Sequence, residues 1–207
     1  MTSRPRVAVL DYGIGNLRSA QKALERVGAD AVLTADASIA ASADAVVLPG
    51  VGAFPAAMEQ IKSRGLDLVL HNLVKKNHKP LLGICLGMQI LAESGEEYSE
   101  CAGLGLIPGR VRKLEAQGRR KIPHVGWSGV SVLPAGESMF GRMALEDAYY
   151  FDHSFYFDAV PECRAATVSW DGDIVAAVAH GKVWGAQFHP EKSHKYGEKL
   201  LNNFAKL

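Results

Sequence analysis

The stretch Pro80-Leu81-Leu82-Gly83-Ile84-Cys85-Leu86-Gly87-Met88-Gln89 constrains this chain more than any other. An apolar run of strand length meets a Gly-x-Cys-x-Gly turn, and a helical pattern opens at the cysteine. The turn is the sulfur counterpart of a nucleophile elbow, where small flanking residues let the chain bend sharply and present the nucleophile. A thiol at a helix N-terminus also feels the positive end of the backbone dipole, which favours the thiolate. Gly83 and Gly87 remove side chains that would block an approaching substrate carbonyl. Cys85 is therefore the first candidate for chemistry. A buried, inert cysteine near a helix start is the plain alternative.

The elbow strand is one of several. Arg6 to Asp11 is apolar and closed by a glycine turn; Leu17, Ala20, Leu24 and Val27 then share a helical face that Gly28 stops. Short strands follow near Ala31–Leu33 and Ala45–Leu48, with helices around Met58 and Ile61 and over Leu66–Val74. Strands alternating with helices at this spacing pair in parallel through right-handed crossovers. Beyond Leu104 the texture changes to short strand-like runs: Arg110–Leu114, Val130–Leu133, Tyr149–Phe157, Ala165–Trp170 and Ile174–Ala179. Asp171-Gly172 reads as a hairpin turn between the last two. A final strand over Lys182–Phe188 and a helix from Ser193 with Tyr196, Leu200 and Phe204 inward complete the chain. The expectation is a single three-layer α/β/α domain over residues 1–207, with a central, mostly parallel sheet that is mixed at one edge.

A chain of 207 residues, 48% hydrophobic and 22% charged, suits one well-buried enzyme domain. The net charge of +1 gives no electrostatic footprint for nucleic acid. Arg110, Arg112, Lys113, Arg119, Arg120 and Lys121 are the densest basic stretch, read as a solvated loop or as a surface for phosphate or an acidic partner. Three cysteines, at 85, 101 and 163, have no paired spacing, so a disulfide framework is not expected and Cys101 and Cys163 read as inert thiols. No apolar run reaches membrane-spanning length, and Arg4-Pro5 leads directly into a strand; a cytoplasmic protein without membrane contact is expected.

The partners for Cys85 lie near the other end, in Gly185-Ala186-Gln187-Phe188-His189-Pro190-Glu191-Lys192-Ser193. With Pro190 keeping the chain extended, residues two apart point the same way, so His189 and Glu191 can face one cavity. Thiol, imidazole and carboxylate then serve as nucleophile, general base and orienter. Two rival patterns are weaker. Gly13-Ile14-Gly15 suggests a dinucleotide fingerprint, but Arg18 occupies the place of its third glycine. His189, Glu191 and His194 could hold a metal only across the Pro190 interruption.

Gly83-x-Cys85-x-Gly87-x-Gln89 together with His189-Pro190-Glu191 resembles the class I, triad-type glutamine amidotransferases, which hydrolyse glutamine to glutamate and ammonia. Asp11-Tyr12-Gly13-Ile14-Gly15-Asn16-Leu17-Arg18-Ser19, Leu48-Pro49-Gly50-Val51-Gly52-Ala53-Phe54 and Pro123-His124-Val125-Gly126-Trp127 are similar to one branch. That branch comprises the glutaminase subunits of imidazole glycerol phosphate synthases, in histidine biosynthesis. The resemblance runs from Val7 to the C-terminus in the expected order. Ser128 departs from it, since the family often has asparagine there.

The resemblance implies catalytic roles for Cys85, His189 and Glu191, and an oxyanion hole from the backbone at Gly50, Val51, Gly52 and Leu86. Gln89, one helical turn after Cys85, becomes a glutamine-binding residue. Glu97 matches a second substrate contact, and His153 and Ser154 match contacts to the substrate's amino-acid end. Asn16, Trp127, Tyr150 and Lys192 match positions at or near the interface with a separate cyclase subunit, which would make this chain half of a heterodimer. Neither organic cofactor nor metal is implied. The glutaminase of pyridoxal phosphate synthase, a γ-glutamyl hydrolase and a non-catalytic binding module remain as alternatives at this stage.

Overall fold

Strands with apolar side chains on both faces belong at the centre of a parallel sheet covered on two sides. The first strand, β1 (Arg6–Leu10), has this character: Val7 and Val9 join one hydrophobic cluster while Ala8 and Leu10 join another across the sheet. The computed structural model describes residues 4–116, 118, 121–141 and 147–207. Arg119 and Arg120 of the basic stretch lie outside the described residues.

Three crossovers build the first half. β1 is followed by α1 (Leu17–Arg26), β2 (Asp30–Thr34), α2 (Ala37–Ser42) and β3 (Ala45–Gly50). Then come α3 (Phe54–Ser63), α4 (Leu66–His71), a π turn over Asn72–Lys76, and β4 (Leu81–Cys85) leading into α5 (Leu86–Gln89). The second half contains β5 (Ser94–Gly95), β6 (Cys101–Ala102), β7 (Gly109–Lys113), β8 (His124–Gly129), β9 (Ser131–Val132) and α6 (Glu137–Phe140). β10 (Ala148–His153), β11 (Phe155–Ala159), β12 (Arg164–Ser169), β13 (Asp173–His180), β14 (Val183–Ala186) and α7 (His194–Ala205) follow.

The main sheet has the order β2-β1-β3-β4-β14-β13-β12-β9. Its strands are parallel from β2 to β14 and antiparallel beyond, so the mixed edge expected from sequence is present. Helices α2, α3 and α4, with a small sheet of order β11-β7-β5-β6, cover one face. α1, α6, α7 and the β10–β8 ribbon cover the other. Leu200, Leu201 and Phe204 of α7 are almost wholly buried there, each worth roughly 2–3 kcal/mol of burial. Because the parallel strands share one direction, the segments after β1, β3, β4 and β14 gather at one pole, where ligands collect in such sheets. Turns at Gly28, Gly65 and Gly181 lie at the opposite pole.

Four expectations need correction. The run Tyr149–Phe157 is not one strand: it breaks at Ser154, and β10 pairs with β8 while β11 pairs with β7. Short α2 and strand β8 were not anticipated, since α2 buries only Ala40 and β8 exposes Val125 and Trp127. The helix over Leu66–Val74 ends as a regular α-helix at His71. The last strand ends at Ala186, short of Phe188. The Asp171-Gly172 hairpin is present, with both residues at positive φ between antiparallel β12 and β13.

Candidate active site

The elbow is a point of backbone strain. Cys85 has φ 55° and ψ −112°, a region that costs an L-residue roughly 1–3 kcal/mol and persists only when its surroundings impose it. Those surroundings are backbone packed on backbone. A Cβ on Gly87 would collide with the Leu48 carbonyl, and one on Gly83 with the Gly87 carbonyl. The two glycines thus allow β3, β4 and α5 to close together, a different reason from access to substrate. The helix that opens after the cysteine is a single turn, so it supplies a few free N–H groups rather than a long dipole.

His189 is placed by hydrogen bonds instead. Its N–H donates to the Tyr150 carbonyl at 2.8 Å, and its own carbonyl accepts from Ser193 Oγ at 2.6 Å. Ser193 Oγ accepts in turn from the Tyr150 N–H at 3.0 Å, so one buried hydroxyl ties the turn to β10. Pro190–Lys192 forms a 3-10 turn, and this turn brings Glu191 beneath the imidazole. The pairing anticipated from an extended chain therefore exists for another cause. His189 Nδ1 lies 2.8 Å from Glu191 Oε1, with the two side chains 3% and 4% exposed. Burial pulls the imidazolium down, but hydrogen bonding to Cys85 and Glu191 and their negative charge outweigh it and push the group up to about 10. Glu191 Oε2 is buried without a partner among the described residues.

Cys85 and His189 face one cavity of about 1030 Å³. Val51, Gly52 and Leu86 line it beside the sulfur, whereas Gly50 lies behind, opposite Cys85 in register, its Cα against the buried Tyr12 hydroxyl. The Tyr12 hydroxyl has no hydrogen-bond partner among the described residues, and burial first, then the charge of Cys85, raise its phenol well above the usual range. Gln89, Glu97, His153, Ser154 and Lys192 also line the cavity. One Glu97 oxygen accepts from the Phe54 N–H at 2.7 Å and so is anchored at the start of α3.

His153 is more committed than its expected role suggests. Nδ1 bonds the Phe155 carbonyl at 2.8 Å, which can only accept, so Nδ1 carries the proton. Nε2 then accepts from His124 Nδ1 at 3.0 Å, and His124 Nε2 accepts from Ser128 Oγ at 3.0 Å. Neither ring nitrogen of His153 is left open to a ligand. Burial first, opposed by the Phe155 carbonyl and assisted by His124 and His189, pulls its imidazolium down to about 4.

The four interface candidates divide. Trp127, 47% exposed, stacks on His194 at 5.0 Å and meets Tyr150 edge-on, and Lys192 Nζ sits 5.3 Å above the Tyr150 ring. Asn16 is the exposed N-cap of α1, without a side-chain capping bond. Sequence reasoning assigned no role to Gln187, whose amide bonds both Gln89 and Cys85, because the signal for it is tertiary. Among the described residues, no group of three or more His, Cys, Asp or Glu could hold a metal ion, and no helix is long and apolar enough to cross a membrane.

The model of the class-I glutamine amidotransferase family matches residues 8–207. Imidazole glycerol phosphate synthase subunit HisH from Synechococcus elongatus is 43% identical over 206 residues, 99% of this chain and 94% of that protein. The subunit of the same name from Bacillus cereus is 43% identical over 199 residues, 96% of this chain and 93% of the relative. Among solved structures, a glutamine amidotransferase matches with a TM-score of 0.73 at 22% identity, covering 97% of this chain and 99% of that one. PurLQS from Thermotoga maritima matches at 0.72 and 19% identity, covering 99% of each chain. At such identities the structural likenesses speak for the fold alone.

Proposed function

This chain belongs to the class I glutamine amidotransferases, and from that premise we propose that it is the glutaminase subunit of an imidazole glycerol phosphate synthase, a single amidotransferase domain acting in the cytoplasm. The observation that carries the reading is the strained Cys85 and the buried His189–Glu191 pair meeting on one cavity. The Cys85 thiolate attacks the side-chain amide carbon of glutamine, its proton having passed to His189. The imidazolium, held by Glu191, returns that proton to the departing ammonia, and water hydrolyses the thioester to release glutamate.

The backbone at Gly50, Val51, Gly52 and Leu86 is the candidate for stabilising each tetrahedral oxyanion; one such donor is worth about 3 kcal/mol in comparable acyl transfer. Gln89 offers its side-chain oxygen to the substrate, because both amide hydrogens already serve Phe155 and Gln187. Glu97 suits the substrate ammonium. The ammonia passes to a separate cyclase subunit, and exposed Val125 and Trp127 with Tyr150, His194 and Lys192 form the face beside the cavity suited to dock it.

Glutamine hydrolysis measured with and without the cyclase and its nucleotide substrate tests the assignment. Activity that rises with both present and vanishes in Cys85→Ala supports it. Undiminished hydrolysis in a folded Cys85→Ala variant sinks it.

A further inference from the structure

Gln187 follows the last residue of β14, and none of its surface is exposed. Its amide Oε1 accepts from Gln89 Nε2 at 3.0 Å, and its Nε2 donates to Cys85 Sγ at 3.8 Å. The direction of this amide follows from a fixed acceptor. Gln89 Nε2 donates to the Phe155 main-chain carbonyl at 2.8 Å, and a carbonyl cannot donate. The second hydrogen of Gln89 therefore points to Gln187, which must present oxygen there and its NH2 group to the sulfur. A flipped Gln187 would set nitrogen against nitrogen at one end and oxygen lone pairs against sulfur at the other.

The neutral thiol has a different neighbour. Cys85 Sγ lies 4.0 Å from the Asp152 carbonyl, which accepts a proton but offers none. Once that proton has moved to His189, the sulfur holds a negative charge at a 7% exposed position, where the His189 imidazolium supplies one hydrogen bond and a second donor lowers the cost of the buried ion further. We propose that Gln187 is a catalytic residue that donates its side-chain N–H to the Cys85 thiolate and holds it for attack, with Gln89 as the positioning residue that fixes the amide's direction. Long donor distances in an unliganded site tighten as charge develops. The proposal rests on the glutaminase reading for its chemistry, but its test does not require turnover.

The rate of Cys85 alkylation by iodoacetamide, followed on the Cys85 peptide by mass spectrometry across pH, reads the thiolate directly. Gln187→Met keeps the volume and removes the donor. It leaves in place the other ionisable groups around the sulfur: Tyr12, Asp152, His153, His189, Glu191 and Lys192. The expected result is a midpoint about one pH unit higher, with kcat for glutamine down about tenfold or more and KM little changed. Gln89→Met shifts the midpoint the same way by less, and the double variant goes no further than Gln187→Met.

A folded Gln187→Met protein with the wild-type midpoint and kcat overturns the proposal. If that variant does not fold, a folded Gln89→Met protein with an unshifted midpoint overturns it equally. Wild-type protein that alkylates as described yet hydrolyses no glutamine with its partner present would refute the glutaminase reading and leave the donor role of Gln187 standing.

Discussion

The two walls of the cavity reach the same precision by different means. At the elbow, main chain rests on main chain: Gly83, Gly87 and Gly50 leave no room for a Cβ, and Cys85 is forced into a strained conformation. At the His189 turn, side chains make the ties: Ser193 bonds the His189 carbonyl and the Tyr150 N–H, Glu191 the imidazole, and Gln187 the sulfur opposite. The contrast teaches where each wall is fragile. Steric walls fail abruptly when one atom is added, whereas hydrogen-bonded walls lose strength one donor at a time.

The largest effect that would sharpen this contrast is chemical. Glu191→Gln should lower kcat about 10³- to 10⁴-fold, since the imidazole loses its anionic orienter. NMR titration should find His189 protonating at a lower pH than in the wild type, because one support of its imidazolium is gone; an unchanged titration would show that Glu191 does not hold it. Next, Gly87→Ala should cost about 3 kcal/mol as its Cβ meets the Leu48 carbonyl, lowering the melting temperature by about 6–12 °C. Unaltered melting would break the steric account of the elbow. Ser193→Ala should cost about 1–2 kcal/mol, as the Tyr150 N–H loses its hydroxyl acceptor and the His189 carbonyl keeps only the Lys192 N–H, with activity reduced by about tenfold; urea titration checks it.

The smallest effect is a pH dependence. His153 is held neutral, with its folded value near 4 against about 6.5 when unfolded. Between these values the unfolded chain binds the extra proton, so the group removes stability as pH falls from about 6.5 toward 4, by about 1–2 kcal/mol at pH 5. His189 has the opposite sign: its stabilisation is complete below about 6.5 and lost as pH rises through about 10. Urea midpoints at pH 5 and 7 should differ less in His153→Asn than in the wild type; equal differences would remove His153 from the account.

Much of this architecture is legible in the sequence where signals are local. The apolar β1 and β4, the face of α1 and the Asp171-Gly172 turn follow from periodicity and turn chemistry, and the elbow announces itself through its glycines. Helix α2 is illegible because Ala and Ser leave no apolar stripe and only Ala40 is buried. Ser154 gives no local sign that the aromatic run passes from one sheet to another. The site shows the same division. Cys85, His189 and Glu191 are readable as types, but Glu191 arrives through a 3-10 turn that an extended reading of Pro190 misses. The role of Gln187 depends on Gln89 and Phe155, contacts no spacing rule supplies.

The shared direction of the parallel strands has a practical consequence. The segments carrying Cys85 and His189 leave the sheet at one pole, and at the other the turns at Gly28, Gly65 and Gly181 open onto empty space, with no atom within 4 Å of where a Cβ would stand. Peptide grafted into those bends, or a tether fixing the molecule to a support, would leave the pocket mouth unobstructed.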